Sequence, residues 1–463
     1  MTAGGRRNDF TRGAMWQVIL RMALPMMLAQ LVQVLYSVVD RMYIGHMPDV
    51  GSLALTGLGL CMPVISLVAA FAGLCGVGGG PLCSIARGRG DLAYAEKVMG
   101  NALTLLLAIG AALTAALLLF LRPVLYAVGA SEETYPFAAQ YAQIYVLGTV
   151  FSMLALGMNY FINAQGFART GMLTVAIGAA LNIALDPLFI FALGLGIRGA
   201  ALATVLSQAV SAAWAMGFLL SRRAILELKT RNMRLDWAIV RRILALGSTG
   251  FVMSMTNAAV QIAYNVQLRL WGGDLYVGAM TVVNSVREVF FMVNSGLRDG
   301  AQPVLGYNYG AGVYSRVKQG IRFLTACSIC YACAVWLLML LLPEMIVRVF
   351  NADPALVAVA APALRVYFCG FLFMSMMMAG QGVFLSLGRA RQAVFFSILR
   401  KVIIVLPLIF LLPYVGGWGV MGVFWSEPIS DLLGGGACFL TMYLTVYRSL
   451  GADRPVKGAN ETI

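Results

Sequence analysis

Two acids, Asp40 and Asp186, stand in runs that are otherwise almost wholly apolar, and Asn182 and Thr204 stand in the same kind of surroundings. A charge at the centre of a membrane helix costs about 2.5 to 3.5 kcal/mol on the insertion scale, so acids kept there are expected to serve a purpose. Two carboxyl groups close together in a dry site favour the protonated form through desolvation and mutual repulsion, and could take up a proton from outside. The same oxygens, joined by Asn182 and Thr204, could instead be hard ligands for a dehydrated Na⁺. Asn182 precedes Asp186 by one helical turn on the same face. Pro187 has no backbone donor to give a regular helix, which predicts a bend there. The plainer alternative is that both acids only tie helices together by hydrogen bonds.

The second half carries a different set: Arg287 and Glu288, then Glu427 and Asp431 one turn apart. These acids could attract a small organic cation, or pair with Arg287 as a structural ion pair. Gln33, Glu288, Met292, Glu427 and Asp431 are the expected substrate contacts. Met374, Met376, Met377 and Met378 could form an adaptable wall, with ordinary packing or lipid contact the plainer account. His46 is expected to be a bystander. Cys327, Cys330 and Cys333 lack the further ligands that a closed zinc site needs, so no structural metal or cofactor is expected. No nucleophile with its base and no phosphate loop stands out, so the chain is not expected to be an enzyme.

The elements that must hold these residues are membrane helices. Of 463 residues, 60% are hydrophobic and 11% charged, against about 25% charged in a soluble domain. Apolar runs of about 20 residues recur, each long enough to cross roughly 30 Å of hydrocarbon. They predict an all-α integral membrane protein of about twelve helices, near 22–44, 53–77, 98–121, 136–159, 170–193, 197–220, 243–270, 275–297, 318–342, 357–380, 393–414 and 419–446. The period-two alternation of a β-barrel is missing.

The net charge of +14 is carried largely by connections on one side. These include Arg6, Arg7, Arg12 and Arg21 before and in the first helix, Arg87, Arg89 and Lys97, and later Arg389, Arg391, Arg400 and Lys401. The other side has fewer positives, partly accompanied by acids such as Asp49 and Glu132. The positive-inside rule then puts both termini in the cytoplasm of a cell-membrane protein. Residues 221–242 are expected to be a basic cytoplasmic linker near anionic headgroups, not a nucleic-acid site. It separates an N-terminal lobe, 1–220, from a C-terminal lobe, 243–463.

The lobes are related. Pro81, Gly88, Gly90, Tyr145, Gly148, Phe151, Gly166 and Arg169 recur as Pro303, Gly310, Gly312, Tyr367, Gly370, Phe373, Gly388 and Arg391, each pair 222 positions apart. A repeat of six helices gives both lobes the same orientation, with a substrate path expected between them near the midplane. That architecture predicts a secondary transporter working as a monomer. A channel would call for a selectivity filter, which is not found.

The run Pro25 to Gly45 with Gln33 and Asp40, the segment Asn182 to Pro187, and the run Gly199 to Gln208 with Thr204 resemble the multidrug and toxic compound extrusion (MATE) family. The resemblance spans nearly the whole chain. It implies a cation-coupled antiporter, driven by H⁺ or Na⁺, that expels amphipathic and often cationic drugs or toxic metabolites by alternating access. It makes Asp40, Asn182, Asp186 and Thr204 the coupling network, and Pro25 a bending point of the first helix. The second-lobe acids of the NorM type, on helices seven and ten, have no counterpart here. The run Trp425 to Asp431, with Glu288, looks more like the MepA-type branch. The alternatives within transport are a flippase for lipid-linked precursors, which would want more helices and a basic cavity, and an exporter of one endogenous metabolite.

Overall fold

A computed structural model describes residues 9–48, 50–350 and 353–453. Arg6, Arg7 and Asp49 lie outside the described residues. Regular structure among the described residues is entirely helical. Among the described residues, nine helices are long and apolar enough to cross a membrane, and two bent pairs raise the number to eleven. One of the nine, α8 (Trp237–Gly310), has 74 residues and is broken at Gly273, where φ is 71° and ψ −169°. At 1.5 Å per residue it is about 111 Å long, too much for one span of roughly 30 Å. Counted as two, it brings the total to twelve, the number expected.

The first half runs through α1 (Met15–Gly45), α2 (Gly51–Gly88), α3 (Leu92–Val128), the bent pair α4 (Tyr135–Leu147) and α5 (Thr149–Ala164), α6 (Ala168–Pro187) and α7 (Ile197–Leu219). After α8 come α9 (Tyr314–Leu341), the short α10 (Pro343–Phe350), the bent pair α11 (Pro354–Phe368) and α12 (Phe371–Ser386), then α13 (Ala390–Ile398), α14 (Leu406–Leu411), α15 (Gly419–Ser430) and α16 (Gly436–Met442). Local chemistry starts several of these. Asp91 caps α3 by accepting from the Tyr94 amide at 2.9 Å, and Asp353 caps α11 with Pro354 in its first turn. At Pro187 the α-helix passes into a π-helical turn, Leu188–Ala192, while the chain stays helical through the proline.

The chain divides into two compact units. One contains Leu24–Gly247, the other Phe10–Ala23 and Ser248–Ile463. In the first unit, the opening turns of α8 pack on α2 so closely that a Cβ on Gly78 would stand 2.1 Å from the Ile243 carbonyl oxygen. In the second, the start of α1 packs on α8 in the same manner, and a Cβ on Gly300 would stand 2.4 Å from the Ala23 Cα. Each unit therefore includes the first turns of a helix that continues in the other. Pro25 sits just past the division of α1, where its missing N–H removes the helix bond to residue 21.

The basic stretch 221–242 is folded onto the first unit. Glu96 accepts from the Glu227 amide and from Lys229 Nζ at 3.2 and 3.1 Å, and Gln165 Oε1 accepts from the amides of Ile225 and Leu226. Asn101 donates to the Arg234 carbonyl and accepts from the Asp236 amide. Buried side chains from α3 and α5 thus fix the course of this segment.

The repeated residues mark repeated geometry. Gly90 and Gly312 share left-handed φ values of 78° and 79°, and Gly166 and Gly388 have 89° and 71°. Gly148 and Gly370 lie at the breaks of the two bent pairs, which turn by 56° and 45°. A side chain at either would collide at once: a Cβ would stand 2.5 Å from Val205 Cγ2 at Gly148 and 2.6 Å from Pro428 Cα at Gly370.

Candidate functional site

In the first unit, α1, α6 and α7 bring Asp40, Asn182, Asp186 and Thr204 together. All four are buried, Asp186 fully and Asp40 at 7% exposure. The Asp40 and Asp186 carboxyl groups lie within hydrogen-bonding reach of each other. Asn182 Nδ2 points to Asp186 Oδ1 at 3.5 Å and to Thr204 Oγ1 at 3.4 Å, and Thr204 donates to the Ala200 carbonyl at 3.0 Å. Asp40 Oδ1, Asp186 Oδ2 and Asn182 Oδ1 are buried without a hydrogen-bond partner. Neither acid forms an ion pair with a described basic residue. Two carboxyl groups so placed need a proton or a metal cation between them.

Beside them is a cavity of about 30 Å³, room for a water or two, lined in part by Gln33, Tyr36, Asn182, Thr204, Ser207 and Gln208. Gln33 is exposed and donates to the Tyr36 hydroxyl at 3.0 Å. Tyr36, one turn before Asp40, and Tyr141, whose hydroxyl faces Thr204, complete the polar surround. Neither tyrosine stood out in the sequence, because an aromatic residue in an apolar helix reads as packing.

The second unit gathers charges of both signs. Arg400 Nη1 bonds Glu427 Oε1 at 3.0 Å and also bonds Asp431, while Lys401 Nζ lies 2.7 Å from the same Glu427 oxygen. Tyr264 Oη adds a bond to Glu427 Oε2 at 3.2 Å. Arg400 and Lys401 were expected in a cytoplasmic connection. They lie instead in a buried π-helical turn, Leu399–Val405, because Glu427 on α15 and Asp431 just after it compensate their charge. Arg287, the partner offered for these acids in the ion-pair alternative, is not the residue that takes them. The signal was present, since both basic residues fell inside the predicted helix 393–414.

Glu288 is exposed and Met292 half-buried on α8. Met374, Met377 and Met378 are buried in packing, with Met374 in the apolar core of the second unit. His46 is exposed and turned back on the Met42 carbonyl. Among the described residues, no group of three or more His, Cys, Asp or Glu side chains is placed to hold a metal ion.

Twelve apolar spans in two repeated sets, each holding ionisable groups away from water, define a polytopic membrane transporter. A family model described as MatE matches residues 25–188 and again 250–411, one match in each half. The chain belongs to the MatE family, as the resemblance implied.

It is similar to multidrug export protein MepA of Staphylococcus haemolyticus (strain JCSC1435), 26% identical over 438 residues that cover 94% of both chains. It is 25% identical to the protein of the same name from Staphylococcus aureus (strain N315), over 94% of this chain and 95% of that one. Among solved structures, it shares its fold with an outward-facing conformation of a multidrug resistance MATE family transporter of the MOP superfamily. The TM-score is 0.89, with 23% identity over 97% of this chain and 99% of that one. A MATE structure in a bent conformation gives 0.90, again with 23% identity, over 97% and 98% of the two chains.

Proposed function

We propose that this chain is a proton-coupled antiporter exporting amphipathic drugs or toxic metabolites by alternating access, with Asp40, Asn182, Asp186 and Thr204 as its coupling network. The supporting observation is the buried Asp40 and Asp186 pair, which has no basic partner and adjoins a cavity of water size. The drug-export part draws on the relatives described as multidrug export proteins. Protons are favoured over Na⁺ because Asn182 turns its NH₂ and not its oxygen toward Asp186 and Thr204, and that NH₂ occupies a lone pair of the Thr204 hydroxyl. That leaves too few oxygens to replace the water shell of a hard cation.

The acids expected to attract an organic cation, Glu427 and Asp431, are already matched by Arg400 and Lys401. Charge recognition of the exported compound therefore has to come from elsewhere. Pro25 and Pro187 each leave one backbone bond unmade in the helices that carry Asp40 and Asp186, which supports a role for both as bending points. With both repeats in one chain, the transporter works as a monomer in the cell membrane, with both termini in the cytoplasm by the distribution of basic residues.

One proton per monovalent cation exchanged moves no net charge, so the driving force is about 1.4 kcal/mol per pH unit, roughly tenfold accumulation. The test is transport of a fluorescent amphipathic cation into proteoliposomes under an imposed pH or Na⁺ gradient. A pH gradient should drive it in wild type and fail to drive it in Asp40→Asn and Asp186→Asn. Equal gradient-driven rates in all three proteins would sink the coupling assignment.

A further inference from the structure

The charges gathered at the buried network of the second unit do not balance once the half-buried Arg287 beside it is counted. Arg400 and Lys401 together match Glu427 and Asp431, two positive groups against two negative. Arg287 on α8 is left over. It forms no hydrogen bond or ion pair with any described residue, and its Nε is buried without a partner. Arg400 Nε is buried and unpartnered as well.

The groups that face Arg287 offer its guanidinium no free, negatively charged hydrogen-bond acceptor. Tyr367 comes from α11 and Glu427 from α15, while Arg400 from the π-helical turn repels it, as does Lys401 beside it. Glu427 already serves Arg400, Lys401 and Tyr264. Its own neighbour Glu288 is exposed and points a different way round the helix. A guanidinium has five donors in a planar fork and stays charged at any ordinary pH. Held partly out of water without an acceptor, it is an unfavourable arrangement that a ligand would relieve.

We infer that Arg287 anchors an anion-binding site in the second unit, which takes the carboxylate of an amphipathic organic compound. The planar fork fits a carboxylate through two parallel hydrogen bonds. Phe290 and Phe291, three and four positions on, are half-buried on the same side of α8 and give the apolar body of such a compound a surface beside its charged end. Phe290 is backed by Phe368, the ring centres being 6.4 Å apart. The inference names the substrate chemistry of the transporter proposed above and rests on that reading only in calling the bound anion cargo.

The test is a fluorescence titration of the purified full chain in detergent, with empty micelles subtracted. Two probes share one fluorophore: dansylglycine, which carries a carboxylate, and dansylglycinamide, which is neutral. Wild type should bind the carboxylate about tenfold more tightly than the amide, the scale of one charge-assisted bidentate contact. Arg287→Gln should bring that ratio close to one, and Arg287→Lys should fall between, keeping the charge without the fork.

A wild-type ratio near one, no saturable binding of either probe at millimolar concentration, or a ratio unchanged in Arg287→Gln would each overturn the inference. Should Arg287→Gln fail to fold, the wild-type ratio and Arg287→Lys still decide it. No gradient enters the titration, so gradient-driven transport without carboxylate preference sinks this inference alone. Carboxylate preference without pH-driven transport of either the fluorescent cation or dansylglycine sinks the antiport reading alone.

Discussion

Lys401 places its ammonium nitrogen 2.7 Å from Oε1 of Glu427, with the two side chains 4% and 1% exposed. Adjacent positions on an α-helix point about 100° apart, yet Arg400 reaches the same oxygen. The wider π-helical turn at Leu399–Val405 narrows that divergence and lets two neighbouring cations converge on one acid. The arrangement makes Glu427 the hub of a network in which each member is buried at the expense of water and held by the others.

Removing the hub should be severe. Glu427→Gln leaves Lys401 without a counter-charge in a site closed to water, and a broken buried pair costs about 3 to 5 kcal/mol. Thermal unfolding of the purified protein should show a large loss of stability. Pairing the change with Lys401→Met removes the stranded charge and should restore most of it. If the double variant is as unstable as Glu427→Gln alone, the pair is not the source of the effect.

Asp186→Asn should behave in the opposite way. Asp186 Oδ2 and Asp40 Oδ1 are buried without partners, and an amide at position 186 brings donors that Asp40 can accept. Stability should hold or rise while gradient-driven transport falls by about tenfold or more. A carboxyl group that served only to tie α1 to α6 would give a different pattern, with stability lost and coupling kept.

Sodium should make little difference to the wild-type protein. A ligand that binds the folded state raises its melting temperature, by an amount that grows with the logarithm of its concentration relative to its dissociation constant. Exchanging K⁺ for Na⁺ at fixed pH should leave melting and transport unchanged, since Asn182 presents nitrogen to the two groups beside it. A Na⁺-dependent rise in melting temperature that disappears in Asp186→Asn would mean that the Asn182 amide turns its oxygen inward and that sodium is the coupling ion.

Much of this molecule is legible in its sequence because the bilayer imposes a long apolar run on every span. The predicted seventh and eighth helices, 243–270 and 275–297, fall either side of the break at Gly273, and the 222-residue repeat marks matching turns and kinks. Asp40 and Asp186 stood out because an acid in such a run is rare. Pairing was less legible. Arg400 and Lys401 read as loop residues by charge, although their position in a predicted helix already argued for burial. That they, and not Arg287, take Glu427 and Asp431 depends on side-chain reach across helices, and no periodicity records it.

The two kink glycines offer a matched comparison. At Gly370 a Cβ would stand 2.6 Å from the Cα of Pro428, a backbone atom in a helix fixed by the buried network at Glu427 and Asp431. At Gly148 the obstruction is the side chain of Val205, at 2.5 Å to Cγ2, which can shift or turn more readily than a backbone. Overpacking of this kind costs about 1 to 3 kcal/mol, against a gain of roughly 0.5 to 1 kcal/mol from alanine's better helix propensity. Gly370→Ala should therefore destabilise the protein in thermal unfolding, and more so than Gly148→Ala. Trimming Val205 to alanine should relieve the Gly148→Ala variant, whereas no side-chain trim near Pro428 relieves Gly370→Ala. Equal tolerance at both positions would show that α15 can move away from the kink, and that the second bent pair is held less tightly than its contact with Pro428 implies.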